Sequence, residues 1–337
     1  MVPSPREARG PFVLVTRRTR QVGTLVLTVA AIAYLVWKVE LGATLDVLEE
    51  TSFAWFALAA AIMIVTVPGL AWRWGRLMEA HGIVERLPWL TRAYFVAYAA
   101  GQILPTSLGG DAVRVVETTR RHPGRATVVT GTVLLERGLG GAATLLLGAV
   151  GFLLSIGAYD VSAYLWLEGA FVFGTLLLGF VFFARSARPL LRRIEPMLER
   201  VRLAGVLRRF YETVHHFRGR PRLLGGLFAL TTAIIAVRIL SIWACARAVG
   251  IELDPRIYYV FGPLFLLVML VPFTLNGLAV REAFFVSFLG SVGVGAEAAF
   301  AAGLLFFLVT ILLALPGALI MLRDGLRSGP RPEVGHG

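Results

Sequence analysis

Long apolar runs are the feature that most constrains this chain, because about 20 apolar residues in a helix cross the hydrocarbon core of a bilayer. Of its 337 residues, 57% are hydrophobic and 16% are charged, against about 45–50% and about 25% in a soluble domain. The sequence therefore predicts an all-α integral membrane protein. Six runs are predicted spans: 22–38, 53–71, 126–157, 161–184, 222–250 and 297–321.

Two shorter apolar runs, 91–104 and 257–271, each end at a copy of one motif. "PTSLGGDAVR" at 105–114 and "PFTLNGLAVR" at 272–281 share six residues in ten, where ordinary residue frequencies would give roughly one. Proline and glycine interrupt helices, so each motif predicts a break at the tip of a helical hairpin. The predicted break residues are Pro105, Gly109, Gly110, Pro272 and Gly277.

Arginine placement decides how the short runs are read. Cytoplasmic loops are rich in arginine and lysine, and "TRRTR" at 16–20 puts the N-terminus in the cytoplasm. The loop after the second span is assigned to the same side by Arg73, Arg76, Arg86 and Arg92. A full crossing at 91–104 would place the next three arginines outside, whereas a re-entrant hairpin keeps them inside. These three are Arg120, Arg121 and Arg125.

The same rule divides the chain into two membrane repeats, 22–157 and 161–321, between a cytoplasmic N-terminal segment, 1–21, and a cytoplasmic tail, 322–337. Each repeat holds three spans and one hairpin, and the odd number of crossings inverts the second repeat. Inverted repeats with interrupted helices are typical of secondary transporters. The hairpins are predicted at 91–113 and 257–290, and a basic amphipathic segment at 185–222 is predicted to lie on the cytoplasmic surface.

Several arginines lie inside the apolar segments, where a charge is costly and usually functional. Arg114 and Arg281 each follow a break proline by nine residues. We expect them to enter a central cavity from opposite leaflets and to hold an anionic headgroup. The alternative is that they anchor helix ends at the interface. Arg137 and Arg238 lie deep in their spans and are further candidates for contact with the headgroup.

Three carboxylates accompany these arginines, namely Asp111, Glu136 and Glu282. They are expected either to couple protons or the headgroup to movement, or to form structural ion pairs. The structural alternative pairs Glu136 with Arg238, or Asp111 with Arg137. The "GLGG" at 138–141 is predicted to be a close helix-packing surface.

Several function classes are excluded by what the sequence lacks. The net charge is +12, but no basic segment stands on a soluble module, so nucleic-acid binding is not expected. With one lysine and no GxxxxGK[ST], the chain has no P-loop, and no GxSxG is present. The single cysteine, Cys245, and five scattered histidines offer no metal-ligand spacing. No metal or cofactor is predicted.

The stretch "GQILPTSLGGDAVRVVETTRRHPGRATVVTGTVLLERGLG" resembles the signature of the lysylphosphatidylglycerol synthase transmembrane-region family, also called the flippase-like membrane domain family. The resemblance lies in the break, the acid shortly before an arginine and the "LLER" of the next span, and it covers roughly residues 20 to 322. "PFTLNGLAVRE" resembles the family's second motif. By position, the first motif takes in Pro105, Gly110, Asp111, Arg114, Glu136 and Arg137, and the second Pro272, Gly277, Arg281 and Glu282.

The resemblance implies translocation or other handling of an envelope lipid in a bacterial plasma membrane. The implied partners are membrane lipids with anionic or polyprenyl-linked headgroups, and envelope-lipid biosynthetic enzymes. Family members with a cytosolic aminoacyl-transferase domain make lysyl-lipids, and this chain, which ends at residue 337, is not expected to be a synthase. The alternatives are a membrane-embedded glycosyl- or phospho-transferase acting on a lipid carrier, and an accessory or scaffold protein for envelope-lipid synthesis.

Overall fold

The computed structural model describes residues 34–103, 109–155, 220–270 and 279–327, together with Trp166, Gly169 and Phe173. Within these ranges the regular elements are helical. The break residues Pro105, Pro272 and Gly277 lie outside them, as do most of the predicted spans 22–38 and 161–184 and nearly all of segment 185–222. The helices are α1 Leu41–Glu49, α2 Phe53–Val65, α3 Val67–Glu79, α4 Leu87–Ile103, α5 Gly109–Arg121, α6 Ala126–Ser155, α7 Pro221–Ala248, α8 Tyr258–Leu270, α9 Val280–Ser291 and α10 Ala296–Arg327.

Within the described residues, four helical segments are long and apolar enough to cross a membrane. They correspond to the predicted spans 53–71, 126–157, 222–250 and 297–321, because run length and composition determine both. The four segments are Phe53–Glu79, which joins α2 to α3, Ala126–Leu154 in α6, Pro221–Ala248 in α7 and Ala296–Asp324 in α10.

The first of these spans is longer than the sequence predicted. Pro68 interrupts the helix at Thr66, but the helix resumes as α3 and continues to Glu79. Its buried residues recur at helical spacing, and they are Val67, Leu70, Ala71, Arg73, Trp74, Leu77 and Met78. The prediction that Arg73 belongs to a cytoplasmic loop was therefore wrong, since this residue is only 5% exposed on α3.

The span Phe53–Glu79 packs antiparallel to α7. The Ser52 amide at the start of α2 donates to the Ala248 carbonyl at the end of α7, 2.8 Å away. Near the other end, the Arg73 guanidinium donates to Thr231 Oγ1 at 2.9 Å. The middle of one span therefore faces the middle of the other.

Helices α4 and α5 form an antiparallel hairpin, which we call hairpin 1. Arg92 on α4 pairs with Glu117 on α5. Closer to the break, a Cβ on Gly110 would overlap the carbonyl oxygen of Ala97. Each step back along α4 is thus matched by a step forward along α5.

Helices α8 and α9 form a second antiparallel hairpin, hairpin 2, held by aromatic rings. Phe261 packs against Phe288 with ring centroids 5.1 Å apart, and Phe265 against Phe284 at 6.0 Å. Edge-to-face and tilted ring pairs of this kind add to the stabilisation from burial alone. Each of the two helix pairs therefore flanks one motif copy along the chain.

Hairpin 1 packs along α10, from the C-terminal end of this helix to its middle. At the base of the hairpin, Arg92 pairs with Asp324. At the tip, Gln102 Nε2 donates to the Thr310 carbonyl at 3.3 Å, and Thr310 is the midpoint of the span Ala296–Asp324. Hairpin 1 thus ends halfway along a helix that is long enough to cross the membrane.

Hairpin 2 meets the same helix from the opposite end. Phe285 packs on Gly303, where a Cβ would be 3.2 Å from the Phe285 ring. Nearer the tip, the Arg281 guanidinium lies over the Phe307 ring, 4.4 Å from its centroid. The tips of the two hairpins therefore reach the middle of α10 from opposite directions.

Close helix contacts occur at several glycines. Around Gly140 and Gly141 no described atom lies within 4 Å of an added Cβ, so the packing surface at 138–141 stays a prediction. Close approaches to the backbone of a neighbouring helix are found at Gly110, at Gly151 against the Tyr259 carbonyl, and at Gly317 against the Phe95 carbonyl. Gly317 follows Pro316, which lies inside α10.

Candidate functional site

Four helices converge on the Glu136 carboxylate of α6. Arg73 of α3 and the Tyr94 hydroxyl of α4 both donate to its Oε1. Arg114 of α5 contacts its Oε2 at 2.8 Å. We call these four side chains the Glu136 network. Because a buried charge is tolerated when it is paired and hydrogen-bonded, the network fixes how the four helices pack.

Arg114 is enclosed on all the sides that the structure describes. Its guanidinium lies between the rings of Trp74 and Tyr94, 4.4 Å and 4.3 Å from their centroids. Besides Glu136, it contacts Asp111 Oδ1 at 3.0 Å. A guanidinium stacked between two rings gains cation–π stabilisation. The charge of this arginine is therefore matched within the protein, while its Nε and Nη1 have no hydrogen-bond partner among the described residues.

Asp111 also accepts from Arg137, so the pair that the sequence suggested is present. The alternative pair of Glu136 with Arg238 is not, because both oxygens of Glu136 are engaged by other arginines. The Glu136 network with Asp111 and Arg137 holds three arginines against two carboxylates. Its formal charge is one unit positive.

Arg238 occupies a different environment, in the middle of α7. Its Nε donates to Thr66 Oγ1 at 3.0 Å, and its guanidinium lies over the Tyr98 ring, 5.5 Å from the centroid. Its Nη2 is buried and has no hydrogen-bond partner among the described residues. Within the same part of the chain, no carboxylate lies at ion-pair distance. Because Thr66 is the midpoint of the span Phe53–Glu79, this cation lies halfway along two spans.

Arg281 and Glu282 form a buried pair at the start of α9. Both Nε and Nη2 of Arg281 donate to Glu282 Oε1, at 2.9 and 2.6 Å. The two residues are 3% and 6% exposed. Glu282 Oε2 is buried and has no hydrogen-bond partner within the described ranges. The pair lies beside Phe307, close to the middle of α10.

The two motif arginines are therefore not equivalent in the structure. Helix α5 begins at Gly109, which makes Arg114 its sixth residue, whereas α9 begins at Val280 and Arg281 is its second. Arg281 consequently lies at the tip of hairpin 2, and Arg114 lies more than a turn below the tip of hairpin 1. Among the contacts of the described residues, Arg114 and Arg281 have no partner in common.

Arg238 and the Arg281–Glu282 pair both lie near the middle of α10. Arg281 is beside Phe307, one helical turn from Thr310 on α10, and Thr310 accepts from Gln102. Gln102 is in turn one helical turn from Tyr98, which packs on Arg238. We call this group the mid-span site. Its members are Thr66, Tyr98, Gln102, Arg238, Arg281 and Glu282.

Three of the residues that build these clusters were not found from the sequence. Arg73 was assigned to a loop, although the apolar positions around it keep helical spacing up to Met78. Tyr94 and Tyr98 were read as part of an apolar run. Their spacing of four residues puts two hydroxyl-bearing rings on one face of α4, and this was the available signal.

The donor set of the site suits an anion. Within the described residues, no group of three or more His, Cys, Asp or Glu side chains could hold a metal ion. The carboxylates Asp111, Glu136 and Glu282 each lie against an arginine. Arg238 adds a positive charge that none of these carboxylates neutralises. Guanidinium groups bind carboxylates and phosphates through paired hydrogen bonds.

The family model described as the lysylphosphatidylglycerol synthase TM region matches residues 21–317. The chain belongs to this family. Membership confirms the resemblance carried by the two motifs. A lysylphosphatidylglycerol synthase TM region with four apolar helices of spanning length is a multi-pass membrane protein, related to proteins that handle membrane lipids.

The TM region also resembles a curated protein, "Glycosyltransferase AglD" of Haloferax volcanii. The two are 28% identical over 272 residues, which is 72% of this chain and 43% of that protein. The chain thus spans less than half the length of this curated relative.

Proposed function

We propose that this protein moves an anionic lipid between the leaflets of a membrane and binds its headgroup in the mid-span site. The observation that carries the proposal is Arg238. A charge at the centre of a span costs at least about 2.5–3.5 kcal/mol, and Arg238 has no carboxylate partner within the described part of the chain. A lipid phosphate would supply both the missing charge and an acceptor for its Nη2.

The hairpins supply the architecture that translocation needs. In this proposal they are re-entrant, they enter from opposite leaflets, and they belong to two inverted repeats with six spans in all. Interrupted backbone at membrane depth is tolerated only inside the protein or beside a watery cavity. Two tips that reach the middle of α10 from opposite ends support a central site of this kind, which transporters expose to each side in turn.

The arginines have two different roles in the proposal. Arg238 and Arg281, at mid-span depth, contact the headgroup. Arg114 and Arg137 pair with Glu136 and Asp111 and hold the helices beside the site. This replaces a clamp of Arg114 and Arg281 with one of Arg238 and Arg281, because the Arg114 guanidinium is covered by Trp74 and Tyr94.

The test is transport of a fluorescent phosphatidylglycerol by the purified full chain in proteoliposomes. We expect Arg238→Gln to lose at least about tenfold in rate, because a factor of ten corresponds to 1.4 kcal/mol and the lost ion pair is worth more than that. The matched control is Arg247→Gln on the same helix, where Glu252 at 3.2 Å already supplies a counter-charge and Trp55 an aromatic neighbour. A wild-type rate in Arg238→Gln would contradict the proposal.

The similarity to glycosyltransferase AglD favours a second candidate, a transferase that acts on a lipid carrier. A transferase would convert a labelled sugar nucleotide and a polyprenyl phosphate into a labelled lipid in detergent, with no second compartment. A translocase would leave both unchanged. Product formation by the purified chain would make the transferase the better assignment.

A further inference from the structure

The Arg281–Glu282 pair adds no net charge to the mid-span site. Both Nε and Nη2 of Arg281 donate to Glu282 Oε1, at 2.9 and 2.6 Å, and both residues are buried. The two are neighbours in the first turn of α9, so the pair does not depend on how other helices pack. Glu282 therefore cancels the charge of the arginine at the tip of hairpin 2.

Arg238 leaves the site with one positive charge. Its described contacts are Thr66 Oγ1 and the Tyr98 ring, and neither carries a charge. Helices α2 and α8 contain no Asp, Glu, Lys, Arg or His, and neither do the segments 104–108 and 271–278. On α4, α7 and α10, the other charged residues lie towards the helix ends, and they are Arg92, Arg222, Arg247, Glu297, Arg323, Asp324 and Arg327.

The Glu136 network is a separate group of charges. Its buried arginines, Arg73 and Arg114, both contact Glu136, and Arg114 also contacts Asp111. Arg137 pairs with Asp111 as well. None of the described ion pairs or hydrogen bonds of these five residues reaches a member of the mid-span site. The charge that a ligand meets at the site is therefore that of Arg238 with a neutral pair beside it.

A ligand with one negative charge makes this site neutral, and a ligand with two does not. A phosphodiester carries one negative charge at neutral pH. A phosphate monoester has a second pKa of about 6 and carries nearly two charges well above it. The second charge would lie at mid-span depth beside the Glu282 carboxylate, with no further cation to match it, which is costly.

We propose that Glu282 determines the charge of the lipid headgroup: by neutralising Arg281, it admits a phosphodiester and excludes phosphate monoesters and diphosphates. The inference rests on the proposed function and names the chemical class of its substrate. The phosphodiester accepts from Arg238 Nη2, which has no partner among the described residues, and from Arg281 Nη1, which no described hydrogen bond uses. Arg281 thus supplies a donor without adding net charge, because Glu282 stays on its Nε and Nη2.

The experiment compares two short-chain lipids that differ by one methyl group and one charge, phosphatidylmethanol and phosphatidate. Each is titrated into the full chain in detergent at about pH 8 by calorimetry, and the readout is the ratio of the two affinities. We expect the wild type to prefer phosphatidylmethanol by between about tenfold and about 100-fold. A factor of ten corresponds to 1.4 kcal/mol, which is less than the cost of a charge at mid-span. The upper value holds because about 1% of the monoester is singly charged two pH units above its pKa, and this form can bind.

Glu282→Gln removes the negative charge and leaves a side chain of nearly the same shape. We expect this variant to bind the two lipids with similar affinity or to prefer phosphatidate, because both arginines then lack a counter-charge. Glu282→Asp keeps the charge and should keep the preference for phosphatidylmethanol. The control is Glu252→Gln, which removes an exposed carboxylate paired with Arg247 and should leave the ratio unchanged. A loss of both affinities by the same factor in Glu282→Gln, with the ratio unaltered, would assign Glu282 a structural role and overturn the inference.

The wild type alone tests the inference if Glu282→Gln does not fold. At about pH 5 phosphatidate is mostly singly charged, so its affinity should approach that of phosphatidylmethanol, and the preference should develop as the pH rises to about 8. Protein groups that titrate over this range act on both lipids and cancel in the ratio. Equal affinities at about pH 8 would overturn the inference and leave the proposed function standing. No binding and no transport of either lipid by the wild type would overturn the proposed function itself.

Discussion

Two arginines on the paired spans Phe53–Glu79 and Pro221–Ala248, the buried Arg73 and the half-buried Arg238, differ in how their charges are matched. Arg73 is neutralised by Glu136 and also bonds Thr231. Arg238, two turns along α7 from Thr231, has a hydroxyl and a ring for neighbours but no carboxylate among the described residues. The charge of Arg73 is matched without a ligand, and that of Arg238 is not matched within the described residues. In the proposed function this difference separates the structural arginine, Arg73, from the ligand-binding arginine, Arg238.

We expect Arg73→Gln to destabilise the protein by about 3–5 kcal/mol, because it leaves Glu136 short of a partner in a buried position. The measurement is equilibrium unfolding of the purified protein in mixed micelles. Arg76→Gln on the same helix is the control: its pair with Glu79 is about half exposed, and such pairs contribute about 1 kcal/mol or less. Equal losses for the two variants would show that the Glu136 network does not stabilise the fold.

Which charged residues lie at depth was predictable from the sequence, and which of them pair was not. Arg114, Glu136, Arg238, Arg281 and Glu282 all fall within or beside apolar runs. The partner of Glu136 depends on which helices pack together, and every candidate partner is an arginine. The spacing along the chain cannot distinguish Arg73 on α3 from Arg238 on α7.

Ion pairs hold the base of hairpin 1 against the loop before α4. Glu85 in that loop accepts from Arg121 Nε at 2.7 Å and contacts His122 Nε2 at 2.9 Å. Burial raises the pKa of the Glu85 carboxyl, but the hydrogen bonds and charges of Arg121 and His122 outweigh this and leave the pKa below its ordinary value of 4.5. The last turn of α5 is thus fixed by an ionised carboxylate.

The ion pairs of Glu85 with Arg121 and His122 should weaken in acid. A carboxyl whose pKa is lower in the folded state contributes stability that is fully present above its ordinary pKa and is lost as the pH falls through the lowered value. We expect the difference in melting temperature between the wild type and Glu85→Gln to be largest at neutral pH and to shrink below about pH 4.5. A difference that grows in acid would contradict this. Glu79→Gln, with its half-exposed partner Arg76, is the control for a general effect of charge.

Within the described residues, four of the predicted spans have counterparts, because run length and apolarity are enough to identify a spanning helix. The sequence could not give the end of the first span, since α3 continues on one buried face after its composition has become mixed. Nor could it give the start of α9. The motif copies share six of their ten residues without a gap, yet the helix starts differ by four motif positions.

The arrangement of the whole molecule predicts opposite accessibility for the two hairpin tips. Ser107→Cys and Thr274→Cys would each be introduced singly into a Cys245→Ala background, which removes the buried native thiol. We expect a membrane-impermeant thiol reagent to label position 107 from the side of the α10 C-terminus and position 274 from the other side. Labelling of both from one side would exclude inverted repeats and would favour the transferase. A cysteine at exposed Glu252 reports on labelling from the side of the membrane where α7 ends.

Pro316 gives α10 a place to bend. A proline has no amide hydrogen, so the carbonyl one turn earlier, at Leu312, loses its helical partner, and the helix is weakest there. The residues that hold hairpin 2 and the tip of hairpin 1 precede this point, whereas Asp324, which holds the base of hairpin 1, follows it. A change of angle at Pro316 would therefore swing the base of hairpin 1 while its tip stays against Thr310. Opening of the site towards one face of the membrane would then need only the part of α10 after Pro316 to rotate, while the residues around Thr310 stay in place.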